Sequence, residues 1–261
     1  ELRNHTGQFS FPLLKGTFHT LVYKHDCWNV EIKTNNEAIQ RYKAKFIIVA
    51  SGRSAVVARK IGIKRIIEDK LICISAVVNN PTENLLCKNF SDTNGWWFAC
   101  PLHPAKLQLS YYTDADLINK NLTGKAEQFA EFIYANTALN ERIGRIDPNQ
   151  FQFLGTNAAN TARLEQFCGD GWCAIGDAAM CFDPLSSQGS YKAMATAMQL
   201  TDLLKTVNFI TTENKLHELM FHELFREQME KIWTHYKSHQ AYYYQMEKHQ
   251  SNVFWKRRSL G

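Results

Sequence analysis

Two short, unbroken apolar runs that each end at a glycine constrain this chain more than anything else in it. Lys45-Phe46-Ile47-Ile48-Val49-Ala50 stops at Ser51-Gly52-Arg53, and Trp172-Cys173-Ala174-Ile175 stops at Gly176-Asp177. Continuous rather than alternating apolarity is expected of strands covered on both faces, as in the parallel sheet of an α/β domain. The surrounding 261 residues are 45% hydrophobic and 21% charged, which excludes disordered, collagen-like and coiled-coil chains. That length supports a core needing no disulfide or metal staples.

The rest of the chain reads as a mixture of antiparallel strands and helices. Residues 1–14 show no period. Two β-rich runs, 17–23 and 28–32, flank the turn-like Lys24-His25-Asp26 and predict a hairpin. A helix-neutral connection follows, and residues 54–61 form a short helix stopped by Gly62. Candidate strands at 71–78, 96–100 and 107–112 make an antiparallel sheet, punctuated by Pro81, Asn94-Gly95, Pro101 and Pro104. Asn94-Gly95 would suit a tight turn. A helix over 124–140 has a core-facing stripe of Ala126, Phe129, Phe132 and Ile133, with the buried part ending near Asn136. Residues 190–207 predict a strong helix with the stripe Ala193, Ala197, Leu200, Leu204 and Val207, and 216–244 one or two amphipathic helices.

Several function classes drop out on composition. Thirty Lys and Arg against 25 Asp and Glu leave a net charge of +5, with no basic stripe interleaved with stacking aromatics, so no nucleic-acid footprint is present. The longest apolar run is too short to span a bilayer, and no signal segment opens the chain. Seven cysteines without a Cys-x-x-Cys pair fit a reducing compartment, hence a cytoplasmic location, rather than a disulfide framework or zinc site. His235 and His239 share a helix face but lack a third ligand, so no metal is expected. Glu218, His222 and Glu223 read as exposed helix residues, and His103 as a surface loop residue. Ser186-Ser187 has no His and Asp partners for nucleophilic work. Tyr242–Tyr244 reads as packing for the last helix rather than as a stacking platform.

The chemistry is concentrated after the second apolar run, in Gly176-Asp177-Ala178-Ala179-Met180-Cys181-Phe182-Asp183-Pro184-Leu185-Ser186-Ser187-Gln188-Gly189. A carboxylate emerging where a buried strand ends sits at the edge where α/β folds bind ligands, and can accept hydrogen bonds from sugar-like hydroxyls. Pro184 fixes the loop and Gly189 permits close backbone approach to a planar ligand. The helix that follows points its positive end at that ligand, favouring an edge that becomes anionic, as a reduced flavin does. A strand, loop and capped helix with no ligand would use Asp177 and Gly189 as well. The Gly-Asp-Ala-Ala run, the later Pro and the Gln-Gly opening of an alanine-rich helix favour the ligand.

This segment resembles the second flavin-contacting motif of FAD-dependent oxidoreductases with the para-hydroxybenzoate hydroxylase fold. It is most similar to the tryptophan-halogenase-like branch that includes flavoprotein monooxygenases of tryptophylquinone biogenesis. Asn94-Gly95-Trp96-Trp97-Phe98-Ala99-Cys100-Pro101-Leu102 resembles that branch's Gly-Trp-Trp-Tyr strand, and Tyr112-Thr113-Asp114-Ala115-Asp116 the strand after it. Tyr242-Tyr243-Tyr244-Gln245-Met246-Glu247 with Phe254-Trp255-Lys256-Arg257-Arg258 resembles its carboxyl-terminal signature. The resemblance implies an α/β (α+β) fold: a partial, Rossmann-like FAD-binding domain with an inserted antiparallel sheet on the substrate side and carboxyl-terminal helices. The expected division is 1–66 and 156–210 for the FAD-binding regions, 67–155 for the substrate-side sheet and 211–261 for the terminal helices.

The resemblance also implies site roles. Gly52 would permit close approach to the ADP half of FAD, and Arg53 would lie near its phosphates. Asp177 would hold the ribityl chain, the backbone of Ser187, Gln188 and Gly189 with the following helix would stabilise the anionic reduced ring, and Gly176 and Pro184 belong to the same cofactor-binding loop. Of Trp96 and Trp97, which face opposite ways on a strand, one belongs to the core and the other lines the substrate cavity. The implied activity is a monooxygenase in which reduced flavin and dioxygen hydroxylate an aromatic group of a small molecule or of a peptide or protein, such as a Trp side chain. NAD(P)H or an external reductase would supply the electrons. No acid–base residue is picked out by position.

One departure counts against a complete site. No Gly-x-Gly-x-x-Gly occurs in these 261 residues, although relatives of this kind hold the FAD pyrophosphate with such a unit. The expectation is a carboxyl-terminal portion of a longer flavoprotein or a member that has lost the unit. A halogenase is disfavoured by the absence of Trp-x-Trp-x-Ile-Pro. The rivals are a reductase of isoprenoid-like substrates, which needs a deep apolar cavity, and a truncated, non-enzymatic relative that only binds a partner.

Overall fold

The computed structural model describes residues 14–82, 85–209 and 215–259, so the aperiodic opening stretch lies, up to residue 13, outside the described residues. The first hairpin forms where the β-rich runs place it. Strand β1 (Gly16–Lys24) pairs antiparallel with β2 (Cys27–Thr34), and Lys24 faces Cys27 across a two-residue turn. His25 and Asp26 both take positive φ there, 50° and 56°, the turn geometry that follows the strand twist. A third strand, β3 (Ile39–Ala44), adds to the other side of β2, where the sequence reading expects a plain connection. Its residues are nearly all exposed, so no buried face imprints a period on them.

Next come β4 (Ile47–Val49), helix α1 (Val56–Lys60) and β5 (Arg65–Ile67). Both apolar runs form strands, and the structure pairs them: β4 lies parallel to the strand Trp172–Ala174, residue for residue. Coverage on both faces holds only for the latter. Val49 is buried, but Ile48 is 47% exposed, because β4 is the edge of its sheet and the described residues place no layer over that side.

The middle of the chain builds a five-stranded antiparallel sheet from β6 (Leu71–Asn79), β7 (Lys88–Asp92), β8 (Gly95–His103), β9 (Lys106–Asp114) and a last strand after three helices. Those helices are α2 (Lys120–Gly124), α3 (Ala126–Ala135) and α4 (Thr137–Ile143), and the strand is β10 (Gln152–Ala158), giving the order β10-β6-β9-β8-β7. The tight turn falls one residue earlier than Asn94-Gly95. Asp92 pairs with Gly95, leaving Thr93 and Asn94 as the corner. Gly95 is needed in the strand itself, where a Cβ would collide with the Tyr112 carbonyl oxygen. Pro101 sits inside β8, beyond the end of β7, where its missing N–H costs no ladder bond to that neighbour. The expected single helix breaks at Asn136, whose side chain accepts from the Leu139 amide and starts α4. Burial therefore continues past Asn136 to Leu139 and Ile143.

The last third returns to the first layer with β11 (Ala162–Leu164), β12 (Cys168–Gly169), β13 (Trp172–Ala174) and β14 (Met180–Cys181). Helix α5 (Gly189–Thr206) is followed by α6 (Lys215–Gln245), one unbroken helix of 31 residues, and α7 (Val253–Ser259). Phe221, Phe225, Met229, Trp233 and Tyr236 recur at helical spacing and pack α6 onto β13, β14 and α5 in one core. Each such side chain contributes about 1.5–3 kcal/mol on burial. A second core lies under the five-stranded sheet, and a smaller one joins Tyr244, Phe254 and Trp255 to Leu71 and Trp96. The buried Arg258–Asp114 ion pair ties α7 to the end of β9. No described helix is long and apolar enough to cross a membrane.

Candidate functional site

The Gly-Asp loop is bent by local chemistry that leaves one side of it open. Strand β13 ends in extended Ile175, and Gly176 turns the chain at φ +55°, where a Cβ would press on Ala193 at 3.2 Å. The Gly176 amide donates to Thr196 Oγ1 at 3.1 Å, which fastens the turn to α5. Asp177 points outward with its side chain 35% exposed, and one carboxylate oxygen lies 3.7 Å from Arg53 Nε. The two terminal nitrogens of Arg53 donate to the carbonyls of Asn160 and Phe182, both at 2.9 Å. Arg53, just after β4, thus ties the segment after β10 to the loop and stands beside the carboxylate of Asp177.

The second bend brings the chain into α5. Asp183 accepts from the Leu185 amide and opens a short 3-10 turn with Pro184 in its first position. Ser187 closes that turn at φ +52°, donating its amide to the Pro184 carbonyl. Among the described residues no side chain caps α5, and a Cβ on Gly189 would meet nothing within 4 Å. The first-turn amides of an 18-residue helix therefore face open space, with the positive end of the helix behind them.

These elements enclose two adjoining clefts. One, of about 240 Å³, has Arg53, Asp177, Pro184, Ser187 and Gly189 on one side and Trp96, Phe98 and Tyr112 on the other. The second, of about 360 Å³, runs past Gly52 and Gly176. Asp177, Gly189 and Ser190 line both. Of the residues singled out for the cofactor, Gln188 lines neither. It is the exposed residue preceding α5, and its carbonyl accepts from the Lys192 amide.

The structure separates the two tryptophans. Trp97 is 1% exposed and packs among Tyr111, Phe129 and Phe132, with its indole N–H on Asp92 Oδ2 at 2.7 Å. It is the core residue, and α3 covers its face of the sheet. Trp96 is nearly as buried, at 3%, and belongs to the small core with Tyr244 and Phe254, but it borders the cleft and stacks on the half-buried Tyr112, with ring centroids 3.9 Å apart and planes 11° from parallel.

Behind that aromatic wall lies a network the sequence reading missed. The Trp96 indole N–H donates to Tyr244 Oη at 3.2 Å, and Tyr244 donates to Asp183 Oδ2 at 2.7 Å. Asp183 also accepts from Gln240, and its amide donates to Tyr236 Oη. Burial pushes the Asp183 carboxyl above its ordinary range, and raises the phenols of Tyr112, Tyr236 and Tyr244. Tyr112 could have been found as the residue across the ladder from Trp96. Tyr244 could not, because it is 148 residues from its partner. Tyr244 does pack the terminal helices as expected, whereas Tyr242 and Tyr243 are exposed. His222 departs from its expected exposure: it is half-buried, with Nε2 3.1 Å from the Gly169 carbonyl. Glu218 is likewise half-buried. Among the described residues no group of His, Cys, Asp or Glu could hold a metal ion.

The residues present suit a flavin. Two glycines have open space where a Cβ would stand, an uncapped helix start offers amides to an anionic edge, and a partly exposed carboxylate can take hydroxyl donors. The comparisons with solved structures agree on the fold. The fold is that of flavin-dependent halogenases and related oxidoreductases. The chain superposes on CmlS, a flavin-dependent halogenase, with a TM-score of 0.76 at 18% identity, over 92% of this chain and 44% of that one. On QhpG, a peptidyl tryptophan dihydroxylase essential for tryptophylquinone cofactor biogenesis, the TM-score is 0.80 at 16% identity, over 99% of this chain and 57% of that one.

A sequence relative is nearer in identity. The chain is 25% identical over 235 residues to the putative FAD-dependent oxidoreductase LodB of Marinomonas mediterranea, spanning 88% of this chain and 60% of that protein. It therefore corresponds to between 44% and 60% of the length of these relatives. No family model matches the chain.

Proposed function

We propose that this chain is the flavin-ring and substrate-side part of an FAD-dependent monooxygenase that hydroxylates an aromatic side chain, most specifically a Trp within a peptide. The observation that carries the reading is the cleft itself. The uncapped start of α5 and Asp177 stand on one side, and the stacked Trp96–Tyr112 pair on the other. When bound, FAD would supply the redox chemistry and activate dioxygen. Asp177 would accept from ribityl hydroxyls, with Arg53 fixing its direction. The amides of Gly189 and Ser190 would stabilise negative charge on the ring edge, and Gly52 and Gly189 would allow the backbone to lie close. The half-buried Tyr112, with the buried Trp96 stacked on it, would border a substrate ring and keep water from that side.

The shape of the opening favours this reading over a reductase of isoprenoid-like substrates. That chemistry calls for a deep apolar cavity, whereas these clefts are open and rimmed by Arg53, Asp177, Ser187 and Ser190. The resemblance to a peptidyl tryptophan dihydroxylase supports a polypeptide substrate.

The test begins with binding. FAD titrated into the purified chain should quench Trp fluorescence saturably, and Gly189→Leu should abolish the quench while leaving the unfolding midpoint unchanged. A Trp-containing peptide, with FAD, a reductant and dioxygen, should then gain 16 or 32 mass units (one or two oxygen atoms). Equal quenching by wild type and Gly189→Leu would reject this cleft as the flavin site. A halide-dependent product in place of the oxygenated one would reject hydroxylation.

A further inference from the structure

We propose that Cys87 and Cys100 form a thiol–disulfide modification site: a small-molecule disulfide of the glutathione class converts them into a cross-strand disulfide that locks β7 onto β8. Cys87 immediately precedes β7, and Lys88 pairs with Ala99, so Cys87 and Cys100 face one another one step further along the same antiparallel register. Their Sγ atoms are 3.1 Å apart. Facing residues in such a ladder have Cβ atoms about 4.5–5.5 Å apart, close to the span of about 3.5–4.5 Å that a disulfide requires. Among the described residues strand β7 is the edge of its sheet, hydrogen-bonded only to β8, so little opposes the small approach needed.

The remaining cysteines show that this juxtaposition is specific. Cys168 and Cys173 also face each other, across β12 and β13, but Cys173 is fully buried and the Cys168 thiol is directed to the His222 carbonyl. Cys73 interacts with Ser75 Oγ. Only Cys87 of the seven is exposed.

The step balances as an exchange. The exposed Cys87 thiolate attacks one sulfur of the small disulfide and expels the first thiolate. Cys100, deprotonated in its turn, attacks Cys87 Sγ and expels the second. One disulfide forms in the protein, one is broken in the reagent, and the two protein thiol protons leave on two released small thiols. Hydrogen bonding with Cys87, with burial second, pushes the Cys100 thiol up to about 11, which leaves first attack to Cys87. The product would pin the edge strand that carries Asp92, the acceptor for the Trp97 indole.

The experiment equilibrates the whole chain with oxidised glutathione, traps free thiols under denaturing conditions and maps the peptides by mass. The expected result is protection of two of the seven thiols, joined as Cys87–Cys100 and released by dithiothreitol. The link should persist in Cys73→Ser and vanish in both Cys87→Ser and Cys100→Ser. Amide exchange within β7 should slow on oxidation. Seven free thiols, a stable glutathione adduct on Cys87, or a Cys168–Cys173 link in its place would each overturn the assignment.

Discussion

Replacing Tyr244 by Phe tests the network behind the cleft at one atom. The ring contacts with Phe254 and Trp255 survive, so the change removes the hydroxyl and makes almost no cavity. Two bonds go with it: the 2.7 Å donation to Asp183 and the 3.2 Å acceptance from Trp96. A hydrogen bond to a charged group contributes about 1.5–3 kcal/mol, and a buried donor left without an acceptor costs about 1–3 kcal/mol. Asp183 keeps the Leu185 amide and the longer contact with Gln240, so its loss is partial. The net cost should be about 3 kcal/mol, or a fall in Tm of about 6–12 °C for a chain of this size.

The sign of its pH dependence is fixed by Asp183. Burial raises that carboxyl in the folded state, so the folded protein holds its proton longer than the unfolded chain does. The corresponding stability is present below about pH 4 and is lost as pH rises through the folded-state value. Tyr244 donation pulls that value down, and losing it lets the value climb. The variant's penalty should therefore be larger at pH 8 than at pH 5. Urea unfolding followed by Trp fluorescence at both pH values measures it. A cost below about 0.5 kcal/mol at both, or a larger cost at the lower pH, would refute the reasoning, since the hydroxyl would then be making neither bond to effect.

Three further outcomes follow from the same geometry. Gly95→Ala should cost about 2 kcal/mol or more in chemical denaturation, because the added methyl group runs into a backbone carbonyl of the neighbouring strand rather than a yielding side chain. Gly189→Leu, with open space at its Cβ, should leave the urea midpoint unchanged yet eliminate flavin binding; a loss of stability would mean the loop is packed rather than open. Arg258→Met should destabilise by about 3 kcal/mol by leaving the buried Asp114 with only its outer partner Arg257, whereas Lys33→Ala, at an exposed pair, should change stability by less than about 1 kcal/mol. Paired denaturation curves compare the two.

The parts of the fold legible in the sequence are those whose burial leaves a pattern. The strands β4 and β13, the Gly-Asp bend and the Leu200–Leu204–Val207 part of the α5 stripe could be read because apolar residues cluster or recur there, whereas the buried Thr196 of α5 is polar and leaves no such mark. Strand β3 could not, since a strand exposed along nearly its whole length has no face to mark. The alternation of Trp96 and Trp97 shows that they face opposite ways, but which one meets the cleft depends on α3 laying Phe129 and Phe132 over one side of the sheet. The helix break at Asn136 rests on a single side-chain bond to the Leu139 amide, too local for a hydrophobic period to register. Asp183 reads as one more loop carboxylate until α6 brings Tyr236, Gln240 and Tyr244 to it.

The wall of the cleft is held from behind by residues near the end of the chain. Trp255 donates to the Asp92 carbonyl, Tyr244 takes the Trp96 indole, and Arg258 grips Asp114. A change far from the glycine loop can therefore reshape the opening without touching any residue that would contact a flavin. Helices α6 and α7 are thus a handle on the shape of this cleft that lies outside its lining.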